Sequence, residues 1–179
     1  MPTPYPQIER WALPKGIVGA TLNGVRAAGL CGKESGALWL GERAEMAHIQ
    51  TVILPSGQGV EERSTHWRVA PEVFGTVTTW AKPRHLTLLA IAHTHMRGVP
   101  VRLSWADRYC SVQVPGVLAI VIGNGGADHD YREWGWFVYA QGEYRELLQH
   151  ELAERLQIGN ECDIDVWRAD ADGVWPIER

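Results

Sequence analysis

The stretch H-T-H-M-R-G-V-P-V-R-L-S-W-A-D, residues 93–107, decides how the rest of this sequence is interpreted. The almost entirely apolar residues 86–92 before it are typical of a buried strand. If this strand continues through Thr94, the side chains of His93 and His95 point to the same face, because side chains alternate along a strand. Two imidazoles at the end of a buried strand are suited to binding a metal ion.

The nearest carboxylate that would complete such a site is Asp107, in the sequence Ser-Trp-Ala-Asp that begins at Ser104. Two neutral imidazoles and a carboxylate suit zinc and leave one coordination position for water. The same spacing also predicts a plain helix start, with Ser104 as N-cap and Asp107 in the first turn. The two interpretations are compatible, because a first-turn acid can direct its carboxylate back at a metal on the neighbouring strand.

A third element lies upstream, where Glu34 precedes the run G-A-L-W-L-G at residues 36–41. A Glu ahead of such a run, then H-[ST]-H, then S-x-x-D, resembles the signature of the JAB/MPN (JAMM) metallopeptidases. The matching positions, in order, are Glu34, His93, His95, Ser104 and Asp107. The resemblance extends from about residue 15 to about residue 170.

The sequence departs from the family pattern at two points between the second His and the Ser. Met96 stands where the family usually has Pro, and the loop 96–103 is one residue longer than the commonest spacing. Both differences lie in a loop and leave every polar position of the motif in place. They bear on the shape of the loop and on substrate contacts.

The resemblance implies an α+β (mixed α/β) fold with a central mixed β-sheet flanked by helices, the JAB/MPN or cytidine-deaminase-like fold. It implies a zinc ion held by His93, His95 and Asp107, whose bound water has a lowered pKa. Glu34 would act as general base and later deliver the proton to the leaving amine. Ser104 would donate a hydrogen bond to the oxyanion.

The resemblance also indicates a substrate class, namely ubiquitin-like proteins or their conjugates, cleaved after the C-terminus. Prokaryotic stand-alone members work beside E1- and E2-like enzymes, some of them in antiviral conjugation systems. An alternative is a processing protease for a small sulfur-carrier protein. Two further readings are a non-haem Fe(II) oxygenase with the same two-His-one-carboxylate ligands and a catalytically inactive scaffold of this fold.

Composition excludes several other classes of protein. The 179 residues are 45% hydrophobic, enough for one domain with a sizeable core. A net charge of -4 without a long basic run argues against nucleic acid and anionic membranes as partners. No apolar stretch reaches the length of a membrane helix, and the N-terminus lacks a secretory signal pattern. Three scattered cysteines favour a reducing, cytoplasmic location.

The chain divides into an extended, proline-containing N-terminal segment, 1–14, and one metallopeptidase-like domain, 15–179. Periodicity and turn residues predict helices at 17–28, 71–80, from Ser104 onward and at 151–156. They predict strands at 36–41, 44–54, 62–69, 86–94, 117–122, 134–139 and 162–167. We expect segments 55–68 and 96–103 to bind an extended substrate tail by strand addition. We expect Trp105 to form a wall of the substrate cleft.

Overall fold

The structure, a computed structural model, describes residues 7–160 and 163–177. Its helices are α1 Gly16–Leu30, α2 Pro71–Ala81, α3 Trp105–Cys110 and α4 Gln149–Arg155. The first six strands are β1 Arg10–Leu13, β2 Gly36–Glu42, β3 Met46–Pro55, β4 Val60–Glu62, β5 Trp67–Val69 and β6 Thr87–Thr94. The other six are β7 Leu118–Ile122, β8 Gly135–Ala140, β9 Glu143–Glu146, β10 Leu156–Ile158, β11 Asp165–Ala169 and β12 Val174–Pro176.

Ten of these strands form one mixed sheet, and β4 and β5 form a separate hairpin. The main order is β10-β1-β3-β2-β6-β7-β8-β9, with β11 beside β3 and β12 beside β11. Strand β2 is antiparallel to both of its neighbours, whereas β6 and β7 run parallel. The predicted fold class, a mixed sheet flanked by helices, is confirmed.

Helices cover both faces of the central strands. Along β2, Ala37 and Trp39 belong to the apolar cluster that includes Ile17 of α1. The alternate residues Leu38 and Leu40 belong to the cluster that includes Val73 of α2. A strand buried on both faces carries apolar side chains on both of them, which explains why β2 and β6 are largely continuous apolar runs in the sequence.

Most predicted elements lie where the sequence places them, but the strand predicted at 62–69 is wrong. This region is the β4–β5 hairpin, whose turn is closed by a hydrogen bond from the Arg63 N–H to the His66 carbonyl. The polar residues 63–66 form the turn. The residues on either side of it form the two short strands of the hairpin.

The C-terminal part of the sheet also differs from the prediction. The strand predicted at 162–167 is Asp165–Ala169, and Cys162 lies outside the described residues. No strand is predicted at β1, β9, β10 and β12, which are three or four residues long. Strands this short contain too few residues for the alternation of apolar and polar side chains to be recognised.

Part of the N-terminal segment belongs to the same sheet as the rest of the chain. Arg10–Leu13, from the segment 1–14, pairs in parallel with both β3 and β10. Within the described ranges, every helix is too short or too polar to cross a bilayer.

Candidate metal centre

The two histidines lie at the carboxyl end of β6, on the face that α2 covers. His93 follows Ile91 of the α2-side cluster by two positions, so both side chains point to that face. His93 and His95 are 6% and 5% exposed, and their Nε2 atoms are 3.2 Å apart. The expectation that both imidazoles share one face of the strand is confirmed.

Asp107 reaches the histidines from the first turn of α3. Its Oδ1 is 3.4 Å from His93 Nε2, and its Oδ2 is 3.4 Å from His95 Nε2. Among the described residues, His93, His95 and Asp107 form a group whose potential ligand atoms all lie within 4.8 Å of one another. One ion could therefore contact all three side chains.

The loop 96–103 orients the second histidine. His95 Nδ1 lies 2.8 Å from the Pro100 carbonyl oxygen, which can only accept a hydrogen bond. The proton therefore belongs on Nδ1, and the Nε2 lone pair is directed at the space beside Asp107. A carbonyl that fixes the tautomer in this way is typical of metal-binding histidines. The longer loop and Met96 leave this contact intact.

Neighbouring side chains within this group shift the pKa values of His95 and Asp107. Burial acts to raise the pKa of Asp107, but the adjacent imidazoles of His93 and His95 outweigh it and hold that pKa well below its usual range. Burial acts to lower the pKa of His95, but the Asp107 carboxylate and the Pro100 carbonyl outweigh it, so the pKa is raised. Asp107 is therefore an ionised carboxylate across the physiological range, as a metal ligand must be.

Sheet register brings Glu34 to the histidines across some sixty residues of sequence. Gly36 pairs with His93 in the antiparallel ladder between β2 and β6, so residue 34 lies opposite residue 95. Hydrogen bonds between Ser35 and Thr94 continue this pairing past the end of β2. Glu34 precedes the first residue of β2 by two positions and is only 6% exposed.

The burial of Glu34 has an electrostatic consequence. Burial, the largest influence, raises the pKa of its carboxyl, and the nearby His95 and His93 oppose that rise. A carboxyl with a raised pKa exchanges its proton closer to neutral pH, which suits a general base that must later act as an acid.

Ser104 caps α3, as the helix-start interpretation predicts. Its Oγ accepts a hydrogen bond from the Asp107 N–H at 3.1 Å, and its own N–H donates to Asp107 Oδ2 at 2.7 Å. This reciprocal capping box fixes the Asp107 side chain. Because the hydroxyl oxygen is the acceptor in the cap, the hydroxyl proton is available for a further bond.

A cleft of about 580 Å³ opens beside these residues. His93 and Asp107 line it on one side, and the hairpin residues Trp67 and Val69 line it on the other. Trp105 is not among the lining residues: its side chain is 74% exposed and lies against Tyr109, with ring centroids 4.4 Å apart. A larger cavity, of about 770 Å³, lies along α1 and does not include the histidines.

Sequence reasoning did not identify the hairpin side chains next to the centre. Glu61, His66 and Trp67 line the cleft, and the His66 and Glu61 side chains approach to 3.4 Å. The sequence offers no motif for them, because their proximity depends on how the hairpin folds over the end of β2. The predicted site residues themselves all converge on one place.

No family model matches the sequence, and no curated protein is significantly similar to it. The solved structures that match the chain include the following two. The protein DSY2949 from Desulfitobacterium hafniense has a TM-score of 0.62 and 17% identity, over 84% of this chain and 94% of that one. AF2198, a JAB1/MPN domain protein from Archaeoglobus fulgidus, has a TM-score of 0.43 and 15% identity, over 83% and 97% of the two chains. At 17% identity, the likeness to the Desulfitobacterium protein concerns the fold alone.

Proposed function

We propose that this chain is a zinc-dependent peptidase of the JAB/MPN type, which hydrolyses the bond after the C-terminus of a ubiquitin-like protein. The observation that carries the proposal is the convergence of His93, His95 and Asp107 beside the buried carboxyl of Glu34. The order of these residues in the sequence, with Ser104 between them, supports the same reaction.

The side chains present fit zinc. Two imidazole Nε2 atoms and one carboxylate are a common catalytic ligand set, and it leaves a position open. The chemistry that zinc supplies when bound is a water whose pKa is lowered toward about 7. The contact of His95 with Pro100 and the capping box around Asp107 hold two of the three ligands in orientation.

Glu34 performs the proton transfers in this mechanism. It takes a proton from the attacking water and delivers it to the nitrogen of the leaving amine. The raised pKa of its carboxyl favours the second step, because the protonated form persists to higher pH. Glu34 is not one of the three converging ligands, so its role is separable from metal binding.

Ser104 stabilises the negative charge that develops on the carbonyl oxygen of the substrate. Its Oγ uses a lone pair in the cap of α3, and its hydroxyl proton donates to the oxyanion. Fixation of that oxygen by the Asp107 N–H means that little reorganisation is needed when the charge develops.

The substrate tail binds in an extended form along the free edge of β5. In the hairpin the Arg63 N–H donates to the His66 carbonyl and the Ala70 N–H donates to the Gly59 carbonyl. The alternation of an antiparallel ladder therefore directs the backbone groups of Trp67 and Val69 away from β4. Both residues line the cleft beside His93. A tail that pairs with these groups would pass its final residues across the metal centre.

The identity of the substrate follows from the resemblance in the sequence. Enzymes with this motif act on ubiquitin-like modifiers, so we propose a deconjugating or maturing protease that works with E1- and E2-like enzymes. An antiviral conjugation system is one setting for it, and a small sulfur-carrier protein is the alternative substrate. A cytoplasmic location belongs to the same proposal, because the three cysteines are scattered.

The two other readings explain less of the site. The ligand set also suits a non-haem iron oxygenase, but in that reaction the buried Glu34 has no role. An inactive scaffold of this fold would not need Glu34, Ser104 and all three ligands together. Metal analysis distinguishes zinc from iron, and a cleavage assay distinguishes an enzyme from a scaffold.

The metal is tested by elemental analysis of the purified chain. We expect about one zinc per chain, and loss of that zinc in His93→Ala and in His95→Ala. Glu72→Gln, an exposed change in the first turn of α2, is the control and should retain zinc. Stoichiometric iron in the wild-type protein, or zinc retained in both His variants, would contradict the site.

The reaction is tested with Glu34→Gln. This variant should keep its zinc and lose a factor of about 10²–10⁴ in turnover, because the Gln amide cannot take the proton from the water. The substrates are ubiquitin-like and sulfur-carrier proteins extended beyond the C-terminal glycine, together with lysine-linked ubiquitin dimers. Glu34→Gln should also co-purify with an uncut fusion. Near-wild-type cleavage by this variant would show that the base lies elsewhere.

A further inference from the structure

Three consecutive residues at the start of β2 each contact the β4–β5 hairpin. The Glu34 N–H donates to the Arg63 carbonyl at 2.7 Å. The Ser35 hydroxyl donates to Glu62 Oε1, also at 2.7 Å. Gly36 lies under Trp67, since a Cβ at this position would come within 2.7 Å of the indole ring. The general base is therefore held between the sheet and the hairpin.

Ser35 also joins this segment to the strand that carries the histidines. Its N–H donates to Thr94 Oγ1 at 2.9 Å, and its carbonyl accepts from the Thr94 N–H at 2.8 Å. Thr94 lies between His93 and His95. The Ser35 backbone thus fixes the position of residues 34–36 relative to His93 and His95. The Ser35 side chain fixes their position relative to the hairpin.

We propose that Glu62 is a positioning residue for the general base, acting on Glu34 through the Ser35 hydroxyl. The inference rests on the proposed function, because it assigns a part in that reaction to a residue outside the motif. Glu62 does not line the metal-side cleft; it lies on β4, directly across the ladder from Trp67, which does. A substrate tail bound along β5 is thereby connected, through one cross-strand pair and one hydrogen bond, to the residue next to Glu34.

The Ser35–Glu62 bond is suited to this task. An ionised acceptor makes the bond stronger than one between neutral groups. Ser35 is 5% exposed, so without Glu62 its hydroxyl would be buried without that acceptor. Without Glu62 the side-chain hydrogen bond that ties the hairpin to residues 34–36 is lost, and we expect the Glu34 carboxyl to be less well fixed beside the histidines.

The test compares Glu62→Ala with Glu62→Gln, because the Gln amide oxygen can still accept from Ser35. We expect Glu62→Ala to lose a factor of about 10–100 in kcat with unchanged zinc content, and Glu62→Gln to stay within about threefold of wild type. Ser35→Ala should lose as much as Glu62→Ala, and the double variant no more than either alone. The control Glu42→Gln removes an exposed carboxylate at the other end of β2.

A second readout does not depend on activity. Amide hydrogen exchange of Glu34, whose N–H is bonded to Arg63, should accelerate about tenfold or more in Glu62→Ala and Ser35→Ala. It should be unchanged in Glu62→Gln and in Glu42→Gln. The amide of Leu147, bonded to the Trp136 carbonyl, serves as the internal reference in every variant.

These measurements separate the failure of this inference from the failure of the proposed function. If wild-type protein cleaves none of the fusions, the proposed function fails, and hydrogen exchange alone decides whether Glu62 positions residue 34. If Glu62→Ala raises KM alone, with kcat and Glu34 exchange unchanged, Glu62 acts in substrate binding and the inference is overturned. Additive losses in the double variant would also overturn it.

Discussion

At the scale of single residues, we propose two roles for one oxygen atom of Ser104. Oγ accepts the capping hydrogen bond of α3, and we assign the hydroxyl proton to the oxyanion. Both roles are lost with the hydroxyl, but the stability cost of losing the cap depends on the residue that replaces the serine. Glycine is the useful replacement, because it is tolerated at an N-cap at a cost of only a few tenths of a kcal/mol.

Ser104→Gly should therefore keep a Tm near that of the wild type but lose a factor of about 10²–10³ in kcat, because it lacks the oxyanion donor. Ser104→Ala should show the same loss in kcat and an additional destabilisation of about 1 kcal/mol. Ser104→Thr retains the hydroxyl and serves as the control. The measurements are thermal unfolding and turnover on the same preparations. If Ser104→Gly turns over like wild type, the serine is only a cap.

At the scale of elements, the end of β6 is fixed by a close approach of two backbones. Gly29, near the end of α1, lies so close to the turn at 123–126 that a Cβ would meet the Gly125 carbonyl oxygen. The Gly125 N–H in turn donates to the His95 carbonyl at 2.8 Å. The position of His95, the second candidate ligand, thus depends on a glycine in a distant helix.

Two glycine-to-alanine changes in α1 should have opposite effects. Gly29→Ala should destabilise the protein by about 1–3 kcal/mol, since the added methyl group forces backbone apart. Gly19→Ala should stabilise it by up to about 1 kcal/mol, because a Cβ there meets nothing within 4 Å and alanine favours the helix. Urea denaturation measures both. Stabilisation by Gly29→Ala would contradict the close approach of α1 and the turn.

At the scale of the whole molecule, the N-terminal strand links distant parts of the sheet. Strand β1 lies between β3 and β10, and Trp11 at its centre is fully buried, with its indole N–H donating to the Gly116 carbonyl. The guanidinium of Arg155, from α4, lies 4.6 Å from the centre of the Trp11 ring. The beginning, middle and end of the chain therefore share one core.

Trp11→Ala should reduce the free energy of unfolding by about 3–5 kcal/mol, a large fraction of the stability of a typical domain. The matched control is Trp105→Ala, because the Trp105 side chain is 74% exposed; its effect should stay within about 0.5 kcal/mol. Equilibrium denaturation monitored by circular dichroism measures both. If Trp11→Ala unfolds like the control, β1 is not an integral part of the core.

The features that the sequence determined by itself are local ones. Strand alternation places His93 and His95 on one face, and the spacing of Ser104 and Asp107 specifies a capping box whatever lies around it. The apolar run before His93 predicted a buried strand, which is β6. Each of these features depends on residues within a few positions of one another, so the local spacing of residue types in the sequence is enough to reveal it.

Only the tertiary structure decided which distant residues surround the centre. Residues 62–69, predicted as one strand, contain a turn, because the hairpin folds back over the end of β2. The burial of Glu34 and its neighbour's bond to Glu62 follow from that fold. The short strand β1 forms because β3 and β10 supply its partners. Hydrogen bonds and burial between segments far apart in sequence leave no periodic signal within either segment, since they arise only when the chain closes its long loops.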